Sequence, residues 1–319
     1  MRSIAAHLDS QLTVLSSLPA TDFIGPWVGL PMDNKSSIDP TAHGTLHWVP
    51  RHDDGLRERM AAIAAWIGRA KPDLVVVDVS VEVAMLCRLM GVPTVVVAMR
   101  GDRFDPAHRA AYDAAHALLA PWAAEFGVPD WPAGWLTKTF HAGAISRFAD
   151  RTPTPVGRHT GLRRALVLWG SGGDGVPTDR LVAAAGTTPE WEWRVAGVAP
   201  RGTGDLWELL QWADVVVTHG GQGAVAEVAA ARRPAVVIAE QRPHGEQAAT
   251  AAVLGAAGLA VALPGWPEPS AWPELLARAS ELRVDDLARW APADAARRAA
   301  AFLQATALEV RNQTEETVA

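Results

Sequence analysis

The chain has 319 residues, 49% hydrophobic and 20% charged, with a net charge of −6. That is enough apolar material for two buried cores, and the absence of a basic run argues against a nucleic-acid partner. A single cysteine, Cys87, excludes an internal disulfide and fits burial in a reducing cytosol.

No apolar run reaches membrane-span length, and Met1-Arg2 leads into an amphipathic stretch rather than a signal peptide. A cytoplasmic protein is expected, with peripheral contact at the inner membrane left open. The chain starts with a helical pattern over 2–8, then a strand over 11–16. A doubly wound domain normally opens on a strand and a glycine-rich turn, and neither stands here. Short β-branched runs at 74–77, 94–97, 165–168, 215–217 and 235–238 read as strands buried on both faces. Helical patterns fill 55–69, 81–89, 107–126, 178–185, 223–231 and 245–257. This βαβα order predicts an α/β protein with two doubly wound, Rossmann-like parallel-sheet domains facing a cleft. Pro153 and Pro155 mark a loss of periodicity. The expected division is a domain over 1–150, a linker over 151–162, a second domain over 163–284, and a tail over 285–319. The tail reads as two helices interrupted at Pro292, crossing back toward the first domain. There are 14 tryptophans against one tyrosine. Trp131, Trp135, Trp266 and Trp272 read as packing residues, with stacking on a sugar ring as the alternative.

Three strand-to-helix junctions in the second half carry the chemistry. The first strand ends in Gly170-Ser171-Gly172-Gly173-Asp174-Gly175, a turn that lets backbone approach a ligand closely; Ser171, Gly172 and Gly173 would face it, with Asp174 turned away from phosphate. The second junction is His219-Gly220-Gly221-Gln222-Gly223, with Glu227 on the following helix. A helix N-terminus after a glycine turn suits a diphosphate, His219 can donate to it, and a carboxylate one turn on can accept ribose hydroxyls. The plainer reading of Glu227 is a favourable charge near a helix N-terminus. The third junction ends in Glu246-Gln247, polar groups suited to sugar hydroxyls. All three turns would meet at the carboxyl edge of one sheet. In the first half, the polar loop 100–108 offers Asp102, Asp105 and His108 for acceptor binding or proton abstraction. Asp105 before Pro106 also fits a helix N-cap, and Asp78 and Ser80 a strand end and a cap.

The segment His219-Gly220-Gly221-Gln222-Gly223-Ala224-Val225-Ala226-Glu227, followed by Glu246-Gln247, resembles the donor half of GT-B glycosyltransferases. The likeness is to family 28, which includes the lipid II N-acetylglucosaminyltransferases, and extends to macrolide and plant-type UDP-glycosyltransferases. It covers roughly 162–263. It implies that His219 and the Gly221–Gly223 amides bind diphosphate, Glu227 ribose, and Glu246 and Gln247 the donor sugar, with uracil near 195–199. Ala224 stands where the family has Thr or Ser, and Thr250 where it often has Asn.

The resemblance further implies metal-independent, inverting transfer of a hexose-type sugar from a UDP-sugar to a hydroxyl or amine of a small-molecule, lipid or glycan acceptor. No cofactor beyond the donor substrate is expected, and no Asp-x-Asp pair sits in a metal-binding loop. Arg2-Ser3-Ile4-Ala5 is similar to the residues that follow the family's first strand and its histidine-bearing turn. The natural start is therefore expected upstream, and without that histidine the activity of this form is in question. A nucleotide-sugar 2-epimerase and a non-catalytic nucleotide-sugar binder are the rival readings.

Overall fold

The computed structural model describes residues 2–20, 23, 25–157, 161–169, 175–196 and 205–318. Strands β1 (Val14–Ser16) and β2 (Trp27–Gly29) form a small parallel pair. Strands β3 (Val75–Asp78), β4 (Thr94–Val97), β5 (Ala117–Ala120) and β6 (Thr139–His141) form a parallel sheet in that order. Strands β7 (Arg163–Leu168), β8 (Trp191–Ala196), β9 (Val215–His219), β10 (Ala235–Ile238) and β11 (Val261–Leu263) form a second parallel sheet, ordered β11-β10-β9-β7-β8. Helices cover both faces of each sheet, as parallel strands require. The result is an α/β architecture of two parallel sheets; the second is doubly wound, as expected, whereas the strands described in the first run in simple chain order without a reversal.

Side-chain alternation assigns each strand to two cores. Leu166 and Leu168 of β7 join the core between the sheets, whereas Ala165 and Val167 pack on the outer face against Trp272 and Leu276. In the first sheet, Val96 faces the shared core. Val95 and Val97 face the opposite side, where Ile4 packs with Ala299, Ala300 and Leu303 of the Ala295–Val318 helix. The C-terminal helix therefore lies on the first sheet, not the second. Between Asp150 and Leu162, the buried Arg233 ties the chain down by donating to the carbonyls of Thr154 (2.9 Å), Leu210 (2.7 Å) and Gln211 (3.0 Å).

Some elements differ from the sequence reading. The single helix expected over 107–126 is a helix at Pro106–Ala114, then β5, then a 3-10 turn at Ala124–Phe126. The Ala/Leu-rich run favours helix by propensity. However, Ala117–Ala120 is buried on all sides between β4 and β6, and tertiary burial overrides that preference. Strand β3 is only partly buried, because it pairs with β4 alone. The opening elements are shorter than expected, at Arg2–Ala5 and Val14–Ser16. Of the four tryptophans in loop-like segments, Trp131, Trp135 and Trp272 are buried packing residues, and Trp266 is half-buried against Trp272.

The two halves meet where the turn after β4 touches the turn after β10. Asp102 N–H donates to the His244 carbonyl at 2.8 Å. Gly101 has a φ of +89°, and a Cβ there would lie 2.2 Å from the His244 oxygen and 3.0 Å from the Glu246 nitrogen. Gly101→Ala is therefore expected to force the turns apart and lower stability by about 2 kcal/mol, read from the urea unfolding midpoint. An unchanged midpoint would mean that this contact does not constrain the fold.

Candidate active site

In an open parallel sheet, ligands bind beyond the carboxyl ends of the strands where the winding reverses. In the second sheet that point lies between β7 and β9, the first and third strands of an order that reads 2-1-3-4-5. Thr218 Oγ1 donates to the Leu168 carbonyl at 2.9 Å, which holds the two strand ends level. Directly beyond them stand Trp169 and His219, with ring centroids 5.5 Å apart. Ser171, Gly172 and Gly173 lie outside the described residues, as does most of the 195–199 segment.

Helix Gln222–Ala230 starts at Gly221, and no side chain caps it. The first-turn amides of Gln222, Gly223 and Ala224 have no intrahelical acceptor, and they carry the positive end of the helix dipole. Gly221 N–H donates to His219 Nδ1 at 3.0 Å. That donor requires a lone pair on Nδ1, so the neutral ring carries its proton on Nε2. Burial favours the neutral ring and holds its pKa below the usual histidine value. Gly221 is required for this close approach, since a Cβ would lie 2.4 Å from the imidazole.

Glu227 is oriented from the same helix. Its Oε1 lies 2.8 Å from Arg147 Nε, which comes from the segment after β6. Burial raises the Glu227 carboxyl above the ordinary glutamate value, and Arg147 opposes that shift. Glu246 pairs with Arg103 at 3.3 Å across the seam between the halves. Gln247 is differently employed. It is 3% exposed, and its Oε1 accepts from both Gly220 N–H and Glu240 N–H, each at 3.1 Å. It joins the second and third turns of the site and leaves little surface for a sugar.

The acidic loop of the first half also separates into distinct parts. Asp105 Oδ1 accepts from His108 N–H at 3.1 Å and caps helix Pro106–Ala114. Its Oδ2 meets His108 Nδ1 at 2.6 Å. Burial raises the Asp105 carboxyl, but the bonds from His108 outweigh it, and the net pKa is lowered. His108 is 3% exposed, and its Nε2 faces Arg103 Nη1 at 3.3 Å. Asp102 remains exposed, with Oδ1 accepting from Phe104 N–H at 3.0 Å. Ser80 caps its helix by accepting from Val83 N–H, and Asp78 is the exposed end of β3.

Several site neighbours were missed by sequence reading. Trp169 Nε1 donates to Glu240 Oε1 at 3.0 Å, and Arg242 pairs with Glu240 at 3.1 Å. Both lie inside segments already singled out, so their proximity to the turns was a usable signal. Arg147 and His47 had none, because only the fold brings them to the cleft. Among the described residues, His47, His108 and His244 form a cluster that offers three ligand nitrogens within 4.8 Å of one another.

The family model described as "Glycosyltransferase family 28 C-terminal domain" matches residues 204–268, which contain both His219–Glu227 and Glu246-Gln247. Among solved structures, the chain is similar to the glycotransferase of kitacinnamycin, with TM-score 0.64 and 18% identity over 88% of this chain and 86% of that one. It is also similar to Acinetobacter baumannii MurG, with TM-score 0.63 and 15% identity over 95% and 94% of the two chains. A third is the Streptomyces sp. SF2575 glycosyltransferase SsfS6 complexed with thymidine diphosphate, with TM-score 0.51 and 18% identity over 98% and 94%. No curated protein matches the sequence. At these identities the structural likenesses establish the fold, which is that of GT-B glycosyltransferases, and the second half carries a family 28-type C-terminal segment.

The double bond of Gln247 has a measurable consequence. Gln247→Ala is expected to destabilise the ligand-free protein by about 2 kcal/mol, because Glu240 N–H loses its acceptor and Gly220 N–H keeps only a 3.2 Å contact to Ile238. A ligand-free melting temperature equal to that of the parent would show that Gln247 does not hold the turns.

Proposed function

We propose that this protein transfers a hexose-type sugar from a UDP-sugar, or another nucleoside-diphosphate sugar, to a hydroxyl or amine acceptor, with inversion at the anomeric carbon. The observation that carries this reading is the convergence at one switch point of an uncapped helix N-terminus, a histidine whose Nδ1 accepts so that a neutral ring carries its proton on Nε2, and a half-buried carboxylate eight residues on. Each matches one part of a nucleotide sugar. The helix amides and His219 Nε2–H would hold the diphosphate and take up the charge that grows on it as the sugar leaves. Glu227 would exchange Arg147 for the ribose hydroxyls. Glu246 lies at the N-terminus of the next helix and would face the sugar.

Residues 163–284 would form the donor unit and 1–150 the acceptor unit, with the tail joining them. The acceptor would sit beside the 100–108 loop. Of its three candidates, Asp105 and His108 are engaged with each other and hold the loop, whereas Asp102 is exposed at the seam. Asp102 is the proposed proton acceptor. The acceptor oxygen or nitrogen bonds to the anomeric carbon, the carbon–oxygen bond to phosphate breaks with its electron pair leaving on the diphosphate, and the proton passes to Asp102. No described helix is long and apolar enough to cross a membrane, so a lipid acceptor would be met at a membrane surface.

A thermal-shift screen against UDP, dTDP and GDP sugars tests the donor assignment. UDP or dTDP should raise the melting temperature, and Glu227→Ala should abolish that rise; a shift that survives the substitution removes Glu227 from the ribose site. Asp102→Asn should leave the shift intact and lower kcat by about 10²–10⁴-fold once an acceptor is in hand. A near-parental kcat would exclude Asp102 as the base.

A further inference from the structure

We propose that His47, His108 and His244 bind one divalent transition-metal ion, of the zinc or cobalt(II) kind, which clamps the two halves of the molecule at the mouth of the cleft. The inference does not depend on the donor reading. The three imidazoles come from three separate segments. His47 precedes helix Asp54–Ala70, His108 lies on helix Pro106–Ala114, and His244 sits in the turn before helix Glu246–Ala256. Their ring centroids are 5.1, 5.6 and 4.6 Å apart, and their ligand nitrogens lie within 4.8 Å of one another. Tetrahedral zinc with nitrogen ligands at about 2.0–2.1 Å spaces those nitrogens about 3.4 Å apart. Small side-chain rotations close that difference, and three protein ligands leave a fourth position for water or a ligand.

The surroundings favour a cation. Asp105 Oδ2 lies 2.6 Å from His108 Nδ1 and 3.7 Å from His244 Nδ1. A carboxylate behind a histidine fixes its tautomer and ring orientation and strengthens the opposite nitrogen as a ligand. Here that nitrogen is His108 Nε2, already met by the cationic Arg103 Nη1 at 3.3 Å. A metal ion would take that place, while Arg103 Nη2 keeps its 3.3 Å contact with Glu246. Carboxylates outnumber guanidinium groups around the cluster: Asp102 and Asp105 act on His244, and Glu82 holds the His47 amide, against the single cation Arg103, which is itself paired with Glu246.

The ligands are also held in advance. Glu82 Oε1 accepts from the amides of His47 and Trp48, at 2.7 and 2.9 Å. The His244 carbonyl accepts from Asp102 N–H, and His244 itself has a φ of 62°, a conformation that a non-glycine residue adopts only when its surroundings demand it.

The test uses the full chain, stripped with a chelator and then titrated with Zn²⁺ by calorimetry and with Co²⁺ by visible absorption. One ion per chain is expected, with the d–d bands of four-coordinate cobalt and a raised melting temperature. His47→Ala, and His244→Asn, which tolerates the left-handed backbone, should each weaken binding by about ten-fold or more while the metal-free melting temperature stays near the parental value. Absence of uptake by the stripped parent chain, or uptake unaffected by both substitutions, would overturn the site. Donor binding by UDP is read separately, so failure of one assignment leaves the other standing.

Discussion

The side-chain oxygen of Gln247 is the contact on which the donor crevice depends. It accepts from Gly220 after β9 and from Glu240 after β10, so one buried amide joins two of the three turns that end at the switch point. Parallel strands leave their terminal N–H groups unpaired, and unpaired groups in a buried crevice are costly. Gln247 Oε1 supplies the acceptor for Glu240 N–H and a second one for Gly220 N–H, which also reaches the Ile238 carbonyl at 3.2 Å. The same arrangement explains why Gly220 has no side chain. A Cβ there would lie 2.6 Å from the Gln247 carbonyl, and the helix could not approach.

The seam between the halves is built differently. It combines one tight backbone contact, at Gly101 and His244, with ion pairs of varied exposure. Arg103 is 3% exposed, while Arg147 and the Arg151–Asp205 pair face solvent. Exposed pairs contribute little and are screened by salt. The seam is thus held firmly at the 101–103 and 244–246 turns and loosely near residues 147–151. A ligand that replaces Arg147 at Glu227 would disturb the weaker side while the backbone contact persists.

Much of this was legible in the sequence, and the reasons differ by element. Strands β4 and β10 were recovered residue for residue, because continuous β-branched runs bounded by turns have few competing readings. The His219–Glu227 junction was legible because Gly220 and Gly221 report steric limits, seen as close approaches to Gln247 and the His219 ring, whereas Gly223 has open space beside it. Strand β5 was not, since Ala117–Ala120 lacks β-branched residues and its burial is a property of its neighbours. Gln247 was read as a ligand residue from its place after a turn, and nothing local indicates that it points inward. Asp105 illustrates the reverse case: the capping pattern of Asp-Pro was visible and is present, while its second bond to the His108 ring becomes evident only with side chains in place. Arg147 and His47 are brought in by long-range packing, for which one sequence holds no signal.

The electrostatics of the crevice follow from burial more than from fixed charge. Desolvation lowers the His219 pKa and raises that of Glu227, so burial works against the charged form of both groups. Among the described residues, Arg103, Arg147 and Arg242 are each paired with a carboxylate. The described residues thus bring a set of oriented dipoles to the switch point: helix amides and an imidazole N–H. Such groups are aligned by the fold, and need no reorganisation when negative charge develops in front of them. A site built mainly from free guanidinium groups would hold a diphosphate more tightly both before and after its sugar departs, and would gain less at the transition state. The Gln247 lock, the uncapped helix and the half-buried His219 are three parts of one solution, in which backbone geometry supplies the stabilisation that mobile charges would otherwise provide.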